Sequence, residues 1–251
     1  MTNLAFELIN RKSYITDIYS KIMVGLHFGN PTRKSTLNKA RVFLNTIFVI
    51  DLLKKEWEKL GNEAKGILKY EFKSFVLGMK DCDYKKCVKD ILEYRKNYGL
   101  KENEEYINDY LFNKLDLKKI KYESLNDYAD EVFRKFEMTG LLIARGKFKH
   151  IYYDFSNFNY KKIESLLNAY KNYDFKEFSN TEEYINFLDN IKLPWLDNYE
   201  VRKEVIKQKA KNLNIKLKDS DFENLNILEE SLNQKFYNKA LQTAILQSDI
   251  K

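Results

Sequence analysis

One segment interrupts the helical periodicity of this sequence. Up to Phe136, apolar residues recur every three or four positions, which is typical of amphipathic helices. Between residues 141 and 155 apolar and charged residues alternate around Gly146, which predicts two short strands. An isolated hairpin is marginally stable in water, so this one must pack on helices. We therefore predict a mainly α fold with one small β-hairpin at about residues 141–155.

The helical prediction extends to both sides of the hairpin. The sequence has only 8 Gly and 2 Pro in 251 residues, which favours long helices over tight turns. Between Val42 and Leu53 apolar residues cover most of the helix circumference, so this helix should be buried and end at Gly61. "ILKYEFKSFVLGMK" (residues 67–80) is predicted as a further short helix, and "DYKKCVKDILEYRKNYG" as another that ends at Gly99.

Three parts follow from these patterns: a basic helical domain (1–99), a winged-helix-like domain (100–171) and a helical C-terminal region (172–251). In the second part, a helix capped by Ser124 should end at Thr139-Gly140. A short turn, Arg145-Gly146-Lys147, should join the two strands, and a helix followed by a two-stranded wing is the winged-helix order. In the third part, Asn180 and Glu183 predict a capping box.

The positive charge is concentrated at the start of the sequence. Residues 1–100 hold 19 Lys and Arg against 11 Asp and Glu, whereas residues 101–175 hold 13 of each. A basic surface of this kind is compatible with nucleic acid or with plain solubility, and a winged helix can also serve as a packing or protein-contact module. The predicted DNA-contacting residues are Arg33, Lys34, Lys39 and Arg41 in the basic region and Arg134, Lys135, Arg145, Lys147 and Lys149 at the wing.

The residue patterns exclude several kinds of site. Phosphate-binding loops, dinucleotide fingerprints and zinc helices have no match in the sequence. Cys82 and Cys87 are predicted to be free thiols, and the two histidines are far apart. "EWEK" and "EVRK" resemble the Glu-x-Lys part of a nuclease site, but both lie in helical patterns. We predict no catalytic residue, metal site or small-molecule cofactor, and a soluble cytoplasmic protein without a signal peptide or membrane span.

Three segments carry a resemblance to a known family. They are "FLNTIFVIDLLKKEWEKLG", "LKYEFKSFVLGMKDCDYKKCVKDILEYRKNYG" with its Tyr94-Arg95 pair, and "DYADEVFRKFEMTGLLIARGKFKHIYYD" with Asp127, Arg134 and Thr139-Gly140-Leu141. Over about Val42 to Leu167 the chain resembles the middle region of AlwI-family type IIS restriction endonucleases and their nicking relatives.

The resemblance implies a DNA-binding and linker portion of a restriction-modification enzyme, with double-stranded DNA as partner. Enzymes of this family combine an N-terminal recognition region, a helical domain, a winged-helix-like linker and a C-terminal PD-(D/E)xK nuclease domain. We expect the recognition region to be short or absent here and the nuclease domain to be missing, as in a fragment, a truncated frame or a split-enzyme subunit. Mg²⁺ would then belong only to that nuclease domain or subunit, and no family catalytic residue matches a position here. The alternatives are a helical protein–protein adaptor without DNA contact and a standalone nuclease.

Overall fold

The computed structural model describes residues 15–27, 42–79, 81–115, 122–147, 150–173 and 178–248. The chain forms two compact units. The first unit comprises Met1–Ser156 and Tyr170–Leu193, and the second comprises Asn157–Ala169 and Pro194–Lys251. The division into three functional parts stays a prediction.

Helices dominate the described residues, which confirms the predicted mainly α class. In chain order they are α1 (Ile15–His27), α2 (Phe43–Lys59), α3 (Lys69–Glu71), α4 (Tyr84–Tyr98), α5 (Glu104–Leu115), α6 (Tyr122–Glu137), α7 (Tyr160–Ala169), α8 (Thr181–Asp189), α9 (Pro194–Asp197), α10 (Tyr199–Asn212) and α11 (Leu225–Ser248). A π-helical turn (Phe72–Val76) continues α3, and two 3-10 turns (Asn157–Asn159 and Asp219–Glu223) precede α7 and α11. Within the described ranges, no helix is long and apolar enough to cross a membrane.

Helix α2 forms the centre of the first unit. Every residue from Phe43 to Ile50 is buried, as is Leu53, because apolar side chains surround this part of the helix. Gly61 follows the helix with a φ of +79°, which confirms the predicted stop. The predicted cap of α2 at Ser35 or Thr36 lies outside the described residues.

The predicted hairpin is present, and a third strand joins it. Strands β1 (Ile67–Leu68), β2 (Leu142–Arg145) and β3 (Tyr152–Phe155) form an antiparallel sheet in the order β1-β3-β2. The prediction of helix from residue 67 was therefore wrong at its first two residues. Ile67 pairs with Tyr153 and Leu68 with Tyr152, and the helix begins only at Lys69.

The connection within the hairpin is longer than the predicted three-residue turn. Strand β2 ends at Arg145, which pairs with Tyr152, the first residue of β3. The amide of His150 donates to the carbonyl of Lys147 at 3.1 Å, which closes a local turn. Because β3 begins only at Tyr152, the second strand predicted to follow Lys147 was too long at His150 and Ile151; Phe148 and Lys149 lie outside the described residues.

An aromatic core connects this sheet to the helices of the first unit. Phe72 makes edge contacts with Phe133, Phe136 and Tyr153 at centroid distances of 5.3 to 6.2 Å. Phe43 of α2 contacts Phe136 from the other side at 5.1 Å. The sheet therefore packs on α6 and the π-helical turn, as an isolated hairpin requires.

The second unit has its own small core. Buried apolar residues of α10, the second 3-10 turn and α11 form a cluster of Ile206, Ala210, Phe222, Leu225 and Leu232. Glu229 is buried beside this cluster and accepts hydrogen bonds from Arg202 and Lys209 at 3.0 to 3.2 Å. Both carboxylate oxygens of Glu229 are therefore matched by cations, as a buried charge requires.

Candidate nucleic-acid interface

A threonine cap fixes the transition from α6 into the hairpin. The hydroxyl of Thr139 donates to the carbonyl of Phe136 at 2.6 Å and accepts from the amide of Leu141 at 3.1 Å. Gly140 adopts a φ of +69°, and its amide donates to the carbonyl of Glu137 at 2.9 Å. The predicted end of α6 at Thr139-Gly140 is confirmed, whereas the helix begins at Tyr122 and not after Ser124.

The free edge of the hairpin is attached to the same helix. The carboxylate of Glu137 accepts from the amide of Ala144 in the edge strand β2 at 2.9 Å. At the base of the hairpin, the amide of Ser156 donates to the carbonyl of Leu141 at 2.8 Å. Helix and hairpin are thus joined by side-chain and backbone hydrogen bonds, which fixes the position of the cations that they carry.

The middle of the hairpin is anchored through Tyr153. Its ring stacks on Phe133 of α6 at a centroid distance of 3.4 Å, and its phenol is hydrogen-bonded to Asp130. Burial, and then the charges of Asp130 and Glu137, raise the pKa of Tyr153 well above its usual range. Lys69 also contacts Asp130, with 2.7 Å between ammonium and carboxylate. The phenol of Tyr153 therefore stays neutral and acts in packing.

Four of the predicted DNA-contacting residues lie at this helix and hairpin, and their surroundings differ. Arg134 in the last turn of α6 and Lys147 in the hairpin loop are exposed. Lys135 forms an ion pair with Glu131 one turn earlier in the helix. Arg145 is half-buried and donates to the carbonyl of Phe155 at 3.4 Å. Arg134 and Lys147 are therefore better placed than the other two for a contact with phosphate.

The remaining predicted cations lie outside the described residues. This holds for Lys149 and for the basic-region residues Arg33, Lys34, Lys39 and Arg41. Their role in DNA contact stays a prediction.

The sequence patterns missed a buried charge network in the first unit. Both side chains of the Glu71–Arg95 pair are fully buried, and Arg95 donates to the two carboxylate oxygens at 2.7 Å each. A sequence signal existed, because Arg95 follows the buried Ile91 by four positions and Val88 by seven. A cation on an apolar stripe indicates a buried partner, but it does not identify Glu71.

Lys73 belongs to the same buried region. Its ammonium donates to the side-chain oxygen of Asn126 at 2.8 Å and lies 3.5 Å from the carboxylate of Glu102. Burial lowers the pKa of Lys73 to about 8, although the nearby Glu102 carboxylate opposes this shift. Lys73 therefore loses its charge at a lower pH than an ordinary lysine does.

Three carboxylates beside the sheet, those of Glu71, Asp130 and Asp154, do not fit a magnesium site. Glu71-Phe72-Lys73 has the Glu-x-Lys spacing of a nuclease site, in addition to the two segments named from the sequence. Glu71 nevertheless receives both hydrogen bonds of Arg95 and a further one from the amide of Leu68 at 2.8 Å. Asp130 and Asp154 each form an ion pair with a lysine. Among the described residues, no group of three or more His, Cys, Asp or Glu could hold a metal ion.

The two Glu-x-x-Lys segments lie on helices, as predicted. "EWEK" belongs to α2, where Lys59 pairs with Glu56 at 2.7 Å, and Glu200 and Lys203 of "EVRK" belong to α10. Cys82 and Cys87 are not joined in a disulfide, as predicted. Neither Glu-x-x-Lys segment lies on a strand, which a PD-(D/E)xK site requires.

Comparison with known proteins identifies one family. Residues 1–247 match the family model described as AlwI restriction endonuclease, so the match covers nearly the whole chain. No curated protein sequence matches the chain.

Proposed function

Because the chain belongs to the AlwI restriction endonuclease family, we propose that it is a DNA-binding and linker portion of a type IIS enzyme. In this proposal it holds double-stranded DNA for a restriction-modification enzyme and does not cleave the DNA by itself. The nuclease domain or subunit that cuts would be its partner, and Mg²⁺ would act there.

The position of Arg134 and Lys147 carries this proposal. Both side chains are exposed, one at the end of α6 and the other in the loop of the hairpin that this helix anchors. In a DNA-binding winged helix the helix before the wing contacts the groove and the wing contacts the backbone. Cations at these two places suit that mode of binding, in which phosphate contacts fix the register of the protein on the duplex.

The surroundings of the acidic residues support the non-cleaving part of the proposal. Glu71 is saturated by Arg95, and Lys54 and Lys69 each neutralise an aspartate beside the sheet, Asp154 and Asp130. A metal-dependent nuclease needs carboxylates that are free to bind the ion. These carboxylates serve in folding instead.

Duplex binding at varied salt concentration tests the proposal. The probe is a fluorescein-labelled duplex of mixed sequence, about three helical turns long. If Arg134 and Lys147 each neutralise one phosphate, Arg134→Gln/Lys147→Gln should lower the slope of log K against log salt by about 1.8. The matched control, Lys211→Gln/Lys218→Gln, removes two exposed lysines of the second unit and should leave the slope unchanged. A wild-type chain that fails to bind this duplex at low salt would refute the proposal.

One observation favours the protein–protein adaptor as a second candidate. Met138 follows α6 directly and is 44% exposed, although its neighbours Phe136 and Thr139 are buried. A flexible methionine exposed beside the hairpin suits an apolar protein contact. Association that does not respond to salt, but is lost in Met138→Lys, would favour this candidate over DNA binding.

A further inference from the structure

Three lysines form a stripe along the exposed face of α4. Lys85, Lys89 and Lys96 are all exposed and lie at positions i, i+4 and i+11 of one helix. At 100° per residue these positions fall within about 40° of each other, roughly opposite the buried residues Cys87 and Ile91. The stripe therefore faces solvent along nearly the whole helix.

Two acidic residues share α4 with the stripe. Asp90 accepts from the phenol of Tyr110 in α5 at 3.1 Å. Glu93 is exposed, four positions after Lys89 and three before Lys96, but it forms no ion pair with either lysine in the described structure. Burial first, and then the charge of Glu93, raises the pKa of Tyr106. Within the part of the chain that the structure describes, no ion pair involves the three lysines of the stripe.

Several exposed lysines on other helices are paired. Lys55 of α2 pairs with Asp51 at 2.7 Å, and Lys207 of α10 pairs with Glu204 at 2.9 Å. Lys135 of α6 pairs with Glu131. In each case a carboxylate three or four positions away cancels the charge, which is the usual arrangement on an exposed helix. Among the described residues, the three lysines of α4 form no such pair, and unlike a single unpaired lysine such as Lys211 of α10 they lie together on one face.

We propose that the stripe of Lys85, Lys89 and Lys96 is a second contact surface for the sugar-phosphate backbone of duplex DNA. The stripe is about 16 Å long at 1.5 Å per residue. That length corresponds to roughly five phosphates along one strand. Lysine suits this partner because its ammonium binds phosphate as a point charge, whereas protein interfaces are depleted in lysine.

The inference rests on the proposed DNA-binding function but concerns other residues than the wing. Contacts to phosphate carry no sequence information directly. The stripe would therefore add affinity and orientation to the complex without altering its sequence preference. The recognition residues would lie elsewhere in the enzyme.

A neutralised stripe tests the inference in the full chain. Lys85→Gln/Lys89→Gln/Lys96→Gln should lower the slope of log K against log salt by about 2.7 for the same labelled duplex, and weaken binding about tenfold at low salt. The matched control, Lys211→Gln/Lys216→Gln/Lys218→Gln, removes the same charge from exposed lysines of the second unit and should bind as the wild type does. Circular dichroism establishes that both variants are folded.

The outcomes separate the two proposals. If Arg134→Gln/Lys147→Gln weakens binding and the stripe variant keeps the wild-type slope, the stripe inference is wrong and the proposed function stands. If the control weakens binding as much as the stripe variant does, only net charge matters and the inference is again overturned. A wild-type chain that binds no duplex would overturn both. A lower slope of log K against log salt in the stripe variant, together with a wild-type slope in the Lys211/Lys216/Lys218 control, supports the inference.

Discussion

The guanidinium of Arg95 and the carboxylate of Glu71 form a two-pronged ion pair in the interior of the first unit, and neither side chain is exposed. Both nitrogen–oxygen distances are 2.7 Å, and Arg95 also donates to the carbonyl of Gly66 at 2.8 Å. The ring of Trp57 lies 5.1 Å from the guanidinium. Glu71 is the last residue of α3 and Gly66 directly precedes β1, so Arg95 joins α4 to a second helix and to the start of the sheet.

Removing only Arg95 should be strongly destabilising. Arg95→Met leaves the carboxylate of Glu71 buried without its cation, and breaking a buried pair in this way costs about 3–5 kcal/mol. Urea denaturation followed by circular dichroism measures the free energy of unfolding. The exposed pair of Lys59 and Glu56 provides the control, because Lys59→Met should cost less than about 1 kcal/mol.

The double variant Glu71→Gln/Arg95→Met should be more stable than Arg95→Met alone. The amide that replaces the Glu71 carboxylate is neutral, so the penalty of an unpaired buried charge disappears. Equal stability of the double variant and Arg95→Met would show that packing, and not charge, makes Arg95 important.

Gly66 is predicted to tolerate no side chain. A Cβ atom at this position would stand 2.0 Å from the carbonyl oxygen of Tyr153, which is backbone and cannot move aside. Gly66→Ala should therefore separate β1 from β3 and cost more than about 2 kcal/mol in the free energy of unfolding. Gly61→Ala is the matched control, because its φ of +79° is strained but the space around it is open. Its cost should stay near roughly 1–2 kcal/mol.

The sequence predicted those parts of the fold that local chemistry determines. The cap at Asn180 is an example, because its side chain accepts from the amide of Glu183. The reciprocal half of the predicted capping box differs, since Glu183 accepts from the amide of Ser179 instead of that of Asn180. The end of α6 at Gly140 and the burial of α2 were likewise predicted from residues that lie next to each other. Local propensity and apolar periodicity are sufficient in such cases.

Features that depend on distant partners could not be predicted in this way. Strand β1 contains only Ile67 and Leu68, and it exists because residues 152 and 153 pair with it. Its sequence continues smoothly into helical periodicity, so it gives no local signal. The candidate site shows the same limit. Arg134 and Lys135 are adjacent cations in the sequence, and only the structure shows that Lys135 pairs with Glu131. Likewise, only the structure shows that Arg145 is partly buried and that Lys85, Lys89 and Lys96 of α4 are exposed without an ion pair in the described residues.

Thr139 should be needed for the junction between α6 and the hairpin. Thr139→Val keeps the shape of the side chain but leaves the buried amide of Leu141 without its acceptor, which should cost about 1–3 kcal/mol. Thr139→Ser retains the hydroxyl and should recover most of that loss. Urea denaturation of the three proteins checks the order of stability. A Val variant as stable as the Ser variant would show that the hydroxyl is not required.

Lys73 should make the stability of the protein rise with pH in a defined window. Its pKa is about 8 in the folded chain against an ordinary value of 10.5, so between these values the unfolded chain binds the additional proton. The free energy of unfolding then increases with pH, by about 2–3 kcal/mol as the pH rises from 8 to 10. Lys73→Met removes this contribution.

The difference in the free energy of unfolding between wild type and Lys73→Met separates the contribution of Lys73 from that of the tyrosines. Burial raises the pKa of Tyr70 and Tyr110 in both proteins, and above their ordinary value of 10.0 these groups lower stability as the pH increases. Urea denaturation at about pH 7, 8, 9 and 10 should show a constant difference up to pH 8 and a growing advantage of the wild type above it. Lys211→Met, which alters an exposed lysine of the second unit, should follow the wild type throughout. A difference that does not change between pH 8 and 10 would mean that Lys73 keeps its charge in the folded chain.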